Sequence, residues 1–213
     1  MTVFSIFSGA TPVRALALGA AALLLAGCAT PEDQHQRAKG YSATDGAQPR
    51  DKGEARKGAA THYVEFRARY ALSYGHTFLV HGRLGPGNRL ATKEVAGLHP
   101  RGDDPSNWML GHFVPVSSET GASDGDTEDQ YVSARYRILL TGEEYARVSG
   151  FIRNLQASSP TWHAVLYNCN AFVGDIARFM VLSSPSSLDL PVDYINGLRR
   201  LNGGRSRIAL PGN

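Results

Sequence analysis

Cysteine is scarce in this chain of 213 residues, which contains only Cys28 and Cys169. An excess of charge of one sign is also missing, because 22 basic and 19 acidic side chains leave a formal net charge of only +3. No basic run is interleaved with aromatic residues. These absences exclude nucleic-acid binding as an interpretation.

The run ALALGAAALLLAG after Arg14 is too short to span a bilayer comfortably, but it has the length of a signal-peptide core. It runs into Leu25-Ala26-Gly27-Cys28, which resembles the lipobox of bacterial lipoproteins. The resemblance implies cleavage before Cys28 and acylation of this cysteine, which would hold the protein firmly on a membrane. Ala29, where aspartate would favour inner-membrane retention, predicts the outer membrane, facing the periplasm. An ordinary secretory signal containing Cys28 is the alternative.

Composition divides the chain into four parts. Residues 1–27 are the predicted signal peptide, and residues 28–60 are the lipidated cysteine and a flexible tether rich in Gly, Ala, Pro and charge. Residues 61–204 are predicted to form a single domain, and residues 205–213 a flexible tail.

Alternation of apolar and polar residues predicts the first strands of the domain. HYVEFRARY reads as a half-buried strand, and SYGHTFLVHGRL as a second. The turn Gly85-Pro86-Gly87-Asn88 then leads to a third strand over about 89–98, which suggests an antiparallel meander.

Residues 100–130 are predicted to be a long, loop-like insertion. Its acidic cluster lacks the later bidentate glutamate of a helix-loop-helix calcium site, so a solvated turn is the preferred interpretation. The cluster consists of Asp124, Asp126, Glu128 and Asp129. We therefore expect no metal, and no motif in the chain points to a cofactor.

Strands and helices alternate in the second half of the domain. YVSARYRILLT and HAVLY are predicted strands, and Thr141-Gly-Glu-Glu144 is a capping box that opens a helix. One further helix begins at Asn168, and a last one covers roughly 192–201. The predicted fold class is α+β, a small antiparallel sheet with packed helices.

Cys169 is the first candidate for chemistry. Asn168 is a good N-cap, which places Cys169 in the first helical turn, where free N–H groups and the helix dipole favour a thiolate. An exported protein meets an oxidising environment, in which a lone thiol is buried or used. A buried cysteine that merely acts as a small apolar side chain is the alternative.

A nucleophilic cysteine needs a base within hydrogen-bond reach. His35 and His112 lie in segments without a predicted scaffold, and His62 only opens the first strand. An extended HAVLY would keep His163 about 20 Å from Cys169. His76, His81 and His99 remain. Alternation places His76 and His81 on opposite faces of their strand but cannot decide which face meets the cysteine helix.

The stretch YNCNAFVGDIARF resembles the Asn-Cys-(Asn/Glu)-x-Phe signature of circularly permuted papain-like proteins. These include the lecithin–retinol acyltransferase-like and PPPDE families and their NlpC-type relatives. The resemblance implies a permuted papain-like fold in which a histidine strand comes first, so His76 in SYGHTFLVHGRL would be the base for Cys169. The insertion at 100–130 does not match the family pattern.

A third polar group usually orients the imidazole in this family. Pairing Gly85 with Asn88 places His76 opposite Gly97 and His99 within diagonal reach on the same face, and Tyr74 is an alternative. The amide of Asn168 or Cys169 could stabilise an oxyanion.

The predicted function is therefore a cysteine-dependent amide hydrolase or acyltransferase of the cell envelope. Peptidoglycan is the first expected substrate, and lipid acyl chains are the second. The alternative is a non-catalytic binding or scaffolding lipoprotein with the same fold.

Overall fold

The computed structural model describes residues 59–71, 74–102 and 104–211. It has the predicted mixed α+β class, with small antiparallel sheets and a few helices. Its strands are β1 (His62–Arg69), β2 (His76–Arg83), β3 (Glu94–Gly97), β4 (His99–Pro100), β5 (Val116–Glu119), β6 (Val132–Leu140) and β7 (Thr161–Trp162). Its helices are α1 (Pro105–Leu110), α2 (Gly142–Ala157), α3 (Cys169–Phe179) and α4 (Pro191–Leu201). In the part of the chain described, no helix is long and apolar enough to cross a membrane.

The main sheet has the strand order β3-β2-β1-β6, with antiparallel neighbours throughout. One face of this sheet packs against α2, α3 and α4 and forms the main core; we call it the helix face. The alternation of each strand decides which residues lie there. On β1 they are Val64, Phe66 and Ala68, and on β2 they include Thr77 and Leu79.

The other side of the sheet, which we call the far face, is buried as well. Tyr63, Phe78 and Val80 form a small apolar cluster there. The prediction that β1 is half-buried was wrong, because Glu65 and Arg67 on the far face are only 1% and 2% exposed. These two charges are tolerated because they are paired, with 2.6 Å between a carboxylate oxygen and a guanidinium nitrogen.

The register between β2 and β3 differs from the prediction by two residues. Phe78, not His76, lies opposite Gly97. The turn is wider than expected, since the Gly85 N–H donates to the carbonyl of Arg89 rather than pairing at Asn88. A register shift of two residues keeps every side chain on its predicted face of the sheet. If the observed pairing of β2 with β3 is extended by two residues, His99 lies opposite His76.

The insertion at 100–130 is more ordered than predicted. It contains part of β4, all of α1 and all of β5, and the Asp104 side chain caps α1 by accepting from the Ser106 N–H at 2.9 Å. The apolar island HFVPV leads into β5, where Val116 pairs with Trp162 of β7. The long segment is therefore tied into the second small sheet, β4-β5-β7.

The helix boundaries follow their predicted signals. Thr141 and Glu144 form the predicted capping box at the start of α2, with both reciprocal hydrogen bonds present. Asn168 caps α3 as predicted, because its side chain accepts from the Ala171 N–H at 3.0 Å. The last helix begins at Pro191, one residue before the predicted start.

Two local predictions were wrong. HAVLY is not a strand, because β7 ends at Trp162 and a turn follows in which His163 Nδ1 accepts from the N–H groups of Val165 and Leu166. The segment predicted to be a flexible tail is packed as far as it is described, with Ile208 only 2% exposed. Residues 1–58, which include Cys28 and nearly all of the predicted tether, lie outside the described residues.

Candidate functional site

Cys169 lies where the sequence places it, at the first position of α3. The thiol is 4% exposed and is not part of a disulfide. Asn168 fixes this helix end on both sides, because its amide nitrogen also donates to the carbonyl oxygens of Ala164 and Ser187. The Asn168 side chain thus has a structural role, since it caps α3 through the Ala171 N–H and ties the helix end to the segments before and after it.

Opposing influences act on the thiol. Burial raises the pKa of Cys169, and this is the larger effect. The backbone N–H groups of Thr77, Asn170 and Cys169 itself, and the Thr77 hydroxyl, lie close to the sulfur and act to lower the same pKa. The sulfur therefore lies among convergent donors but is protonated at neutral pH.

Thr77 connects β2 to α3 through a side-chain hydrogen bond. Its hydroxyl donates to the side-chain oxygen of Asn170 at 2.6 Å, and its N–H faces the sulfur. The Asn170 amide nitrogen in turn donates to the carbonyl oxygens of Ser187 and Asp189. This chain of hydrogen bonds holds the cysteine against the residue that directly follows His76.

The imidazole of His76 points to the far face. It stacks on Phe78, with 5.8 Å between ring centroids, and an added Cβ on Gly97 would lie 3.1 Å from its Nε2. The contact between Cys169 and His76 expected from the sequence is therefore not formed, since neither nitrogen of the ring has a hydrogen-bond partner. The physical reason is strand alternation, because Thr77 occupies the helix face and His76 must take the opposite one.

His99 is a close neighbour of His76, as the register shift implies. The two rings meet edge to face with 6.1 Å between centroids. The Nδ1 of His99 lies 3.0 Å from the Pro100 carbonyl oxygen, whereas its Nε2 is buried without a partner. His99 can thus restrict the position of the His76 ring through packing, but it does not hydrogen-bond it here.

Asp126 is the site residue that sequence reasoning missed. The sequence predicts that Asp126 lies in a solvated turn, but its side chain is 0% exposed. One of its carboxylate oxygens pairs with Arg69 Nε at 2.5 Å. The other carboxylate oxygen lies 3.8 Å from His76 Nε2, beyond hydrogen-bonding distance. The Ser123 N–H and hydroxyl hold this oxygen. Fifty-seven residues separate Arg69 from Asp126, so no local pattern could reveal the pair.

Burial dominates the protonation of His76. It lowers the pKa of the ring to about 4, against a favourable effect of Asp126 and further unfavourable effects of Arg69 and His99. His76 is therefore neutral at pH 7. Its unprotonated ring nitrogen has no hydrogen-bond partner and keeps its lone pair for a proton.

Two tyrosines, Tyr74 and Tyr194, lie within electrostatic range of the thiol. Burial raises the pKa of Tyr74, and the negative charge of an ionised Cys169 adds to this effect. The same pattern applies to Tyr194, whose pKa burial raises to about 12. Tyr74, the alternative orienter of His76, therefore interacts electrostatically with the thiol, and its buried hydroxyl has no hydrogen-bond partner.

The remaining histidines have other contacts. His81 lies on the helix face, where its Nδ1 is 3.0 Å from the hydroxyl of Tyr145 in α2. The ring of His163 closes the turn before α3. Across residues 59–71, 74–102 and 104–211, no group of three or more His, Cys, Asp or Glu side chains could hold a metal ion.

Comparison of the chain with protein-family models, with curated proteins and with solved structures found no match. The fold and the geometry of its side chains therefore carry the functional interpretation.

Proposed function

We infer that this protein is a lipid-anchored envelope protein in which Cys169 is a nucleophile that attacks an amide or ester carbonyl. The permuted papain-like architecture belongs to this proposal. Its main support is the position of Cys169 at the N-terminus of α3, with the N–H groups of Thr77, Cys169 and Asn170 close to the sulfur. A cysteine that only fills apolar space needs no such donors, whereas a thiolate, or the oxyanion formed beside it, does.

His76 is the proposed base, with a movement before the reaction. The Thr77 N–H lies close to the sulfur, and His76 is the residue directly before Thr77 in β2. His76 is the first residue of β2 and follows Gly75, which has a φ of 92° that a side chain would disfavour. In the proposed closure the ring leaves Asp126 and turns around the end of the strand towards the sulfur.

The proton steps follow from the two neutral groups. The thiol gives its proton to the neutral ring as the sulfur bonds to the carbonyl carbon. The ring then gives the proton to the leaving amine or alcohol as the C–N or C–O bond of the substrate breaks and a thioester forms. Water or an amine attacks the thioester and restores the thiol. His99 is proposed as a positioning residue for His76 because of its edge-to-face contact.

The substrate class follows from the predicted location. Lipidation at Cys28 would hold the domain at the outer membrane, facing the periplasm, where peptide and amide bonds of peptidoglycan are within reach. Lipid acyl esters are the second class. Both contain the carbonyl carbon that the proposed mechanism requires.

The experiment that tests this proposal measures acylation of Cys169 in the full mature chain. p-Nitrophenyl acetate is the probe, and intact-mass and peptide-mass measurements locate one added acetyl group on Cys169. The acylation rate should fall by about 100-fold or more in His76→Gln, and modification should disappear in Cys169→Ala. His81→Gln is the matched control, because its ring lies on the same strand but contacts Tyr145.

Equal acylation rates in His76→Gln and His81→Gln would contradict the role of His76. No acylation of Cys169 in the folded wild-type protein would contradict the role of the thiol. Circular dichroism of every variant separates these results from a loss of folding.

A non-catalytic binding or scaffolding lipoprotein is the second candidate. The absence of any partner on both His76 ring nitrogens favours it, because a resting Cys-His pair is normally in contact. It predicts that Cys169→Ala preserves the cellular phenotype and costs about 1–3 kcal/mol of stability. Complementation with Cys169→Ala and Cys169→Ser decides between the candidates, since catalysis requires loss of the phenotype in the alanine variant at normal protein levels.

A further inference from the structure

Two neighbouring turns expose large apolar side chains. The first turn, at the end of α1, carries Met109, Leu110, Phe113 and Val114, and Phe113 is 81% exposed. The second turn, between β7 and α3, carries Val165 and Leu166, and Leu166 is 72% exposed. We call these six side chains the two-turn patch.

The two turns are joined at their bases. The Ala164 N–H donates to the Gly111 carbonyl at 2.9 Å, which connects the middle of one turn to the other. Trp162 packs directly beneath, since a Cβ on Gly111 would lie 2.3 Å from its ring, and Trp108 meets the same ring edge to face. The apolar tips therefore project from a packed aromatic base.

The backbone of both turns is suited to an apolar surrounding. In the second turn the N–H groups of Val165 and Leu166 are satisfied by the ring of His163, at 3.1 and 3.2 Å. In the first, the N–H groups of Phe113 and Val114 donate to the Leu110 carbonyl. Backbone groups that already have partners can leave water without a large desolvation cost.

Charged side chains are missing from both turns. Residues 105–115 and 161–168 contain no Asp, Glu, Lys or Arg. An exposed apolar patch without charge commonly marks a surface that meets a membrane or a partner. Short segments with large apolar side chains lie in the boundary between lipid headgroups and acyl chains.

The N-terminal part of the chain favours a membrane over other occupants. Residues 28–58 precede the described domain and lead back to Cys28, the proposed lipid-bearing residue. Even fully extended, the 31 residues 28–58 span at most roughly 110 Å. A domain held this close to a bilayer docks on it as an intramolecular event, so a weakly binding patch is enough.

We propose that the two-turn patch is a docking surface for the phospholipid bilayer to which the domain is tethered. This inference rests on the proposed anchor at Cys28 but not on catalysis by Cys169. Docking would also orient the site. His112 in the first turn meets Tyr74 edge to face, with 6.0 Å between ring centroids, and Tyr74 is within electrostatic range of the thiol, which connects the patch to the candidate site.

Fluorescence provides the test, because both tryptophans of the chain, Trp108 and Trp162, lie at the base of the patch. The acylated full mature chain is reconstituted in phosphatidylethanolamine and phosphatidylglycerol vesicles, with or without bromine on the upper acyl-chain carbons. Docking places the rings near bromine, so tryptophan emission should be lower in brominated vesicles. The double variant Phe113→Asp and Leu166→Asp should lose this quenching, whereas Leu188→Asp and Leu201→Asp should keep it, as residues of similar exposure outside the two turns.

Each outcome has a definite meaning. Absent quenching in a chain whose acylation is confirmed by mass overturns docking. Equal quenching in both double variants also overturns it. Failure of Cys28 to accept acyl groups removes the anchor and overturns the inference, without affecting acylation of Cys169 by p-nitrophenyl acetate. Dimerisation in detergent that depends on Phe113 and Leu166, without quenching in vesicles, assigns the patch to a second copy instead.

Discussion

Replacing His76 by glutamine should remove much of the acid sensitivity of this fold. Burial lowers the pKa of His76 to about 4 from 6.5 in the unfolded chain. Between these values the unfolded chain binds a proton that the folded ring does not, so stability is complete above pH 6.5 and falls as the pH decreases towards 4. At pH 5 the loss is about 2 kcal/mol relative to pH 7.

Urea unfolding at pH 7 and pH 5, followed by tryptophan fluorescence, measures this loss. In His76→Gln the free energy of unfolding should change between the two pH values by about 2 kcal/mol less than in the wild type. Glutamine keeps a polar group near Asp126, Arg69 and His99 but cannot gain the proton in the unfolded state. Titration of the ring by ¹H–¹⁵N correlation spectra gives a direct check. A His76 ring that titrates near 6.5 in the folded protein would refute the reasoning.

Two further predictions concern stability and use matched pairs of variants. Glu65→Gln should destabilise the fold by about 1–3 kcal/mol, because it weakens the charged hydrogen bonds to Arg67, which is 2% exposed and keeps Asp129 as a partner, whereas Glu119→Gln in the exposed pair with Arg101 should cost less than about 1 kcal/mol. Equal urea unfolding midpoints for Glu65→Gln and Glu119→Gln would contradict this difference. Gly150→Ala in α2 meets open space and should stabilise by about 0.5–1 kcal/mol, whereas Gly111→Ala must displace the Trp162 ring and should destabilise by about 1–3 kcal/mol. Thermal unfolding ranks these two variants, and a stabilising Gly111→Ala would show that the ring can move freely.

Sequence periodicity was sufficient for the elements whose pattern is local. The strands β1, β2 and β6 and the helices α2, α3 and α4 each carry their own apolar spacing or capping residue, and Asn168 caps α3 as expected. HAVLY failed because a short apolar run also suits a turn, here closed by the ring of His163. Periodicity identifies a strand only where the strand is long enough to show it.

The arrangement around the cysteine could be predicted only in part. The position of Cys169 depends on one N-cap and was predicted, and the nearness of His99 to His76 survives an error of two residues in register. The face of β2 that meets α3 was not predictable, because Leu79 and Phe78 make both faces apolar. The burial of Asp126 depends on a contact with Arg69 that forms only in the folded chain.

The protonation of thiol and imidazole constrains how an acyl transfer could begin here. Burial raises the pKa of Cys169 and lowers that of His76, so the charged form of each is disfavoured in the resting protein. A preformed thiolate–imidazolium pair would require both effects to be reversed. If a carbonyl substrate binds near the N–H groups of Cys169 and Asn170, these donors can stabilise the negative charge that develops on its oxygen. Proton transfer from sulfur to the ring would then accompany attack instead of preceding it. The proposed reaction also depends on movement of the His76 ring, because that ring stacks on Phe78 on the far face of the sheet.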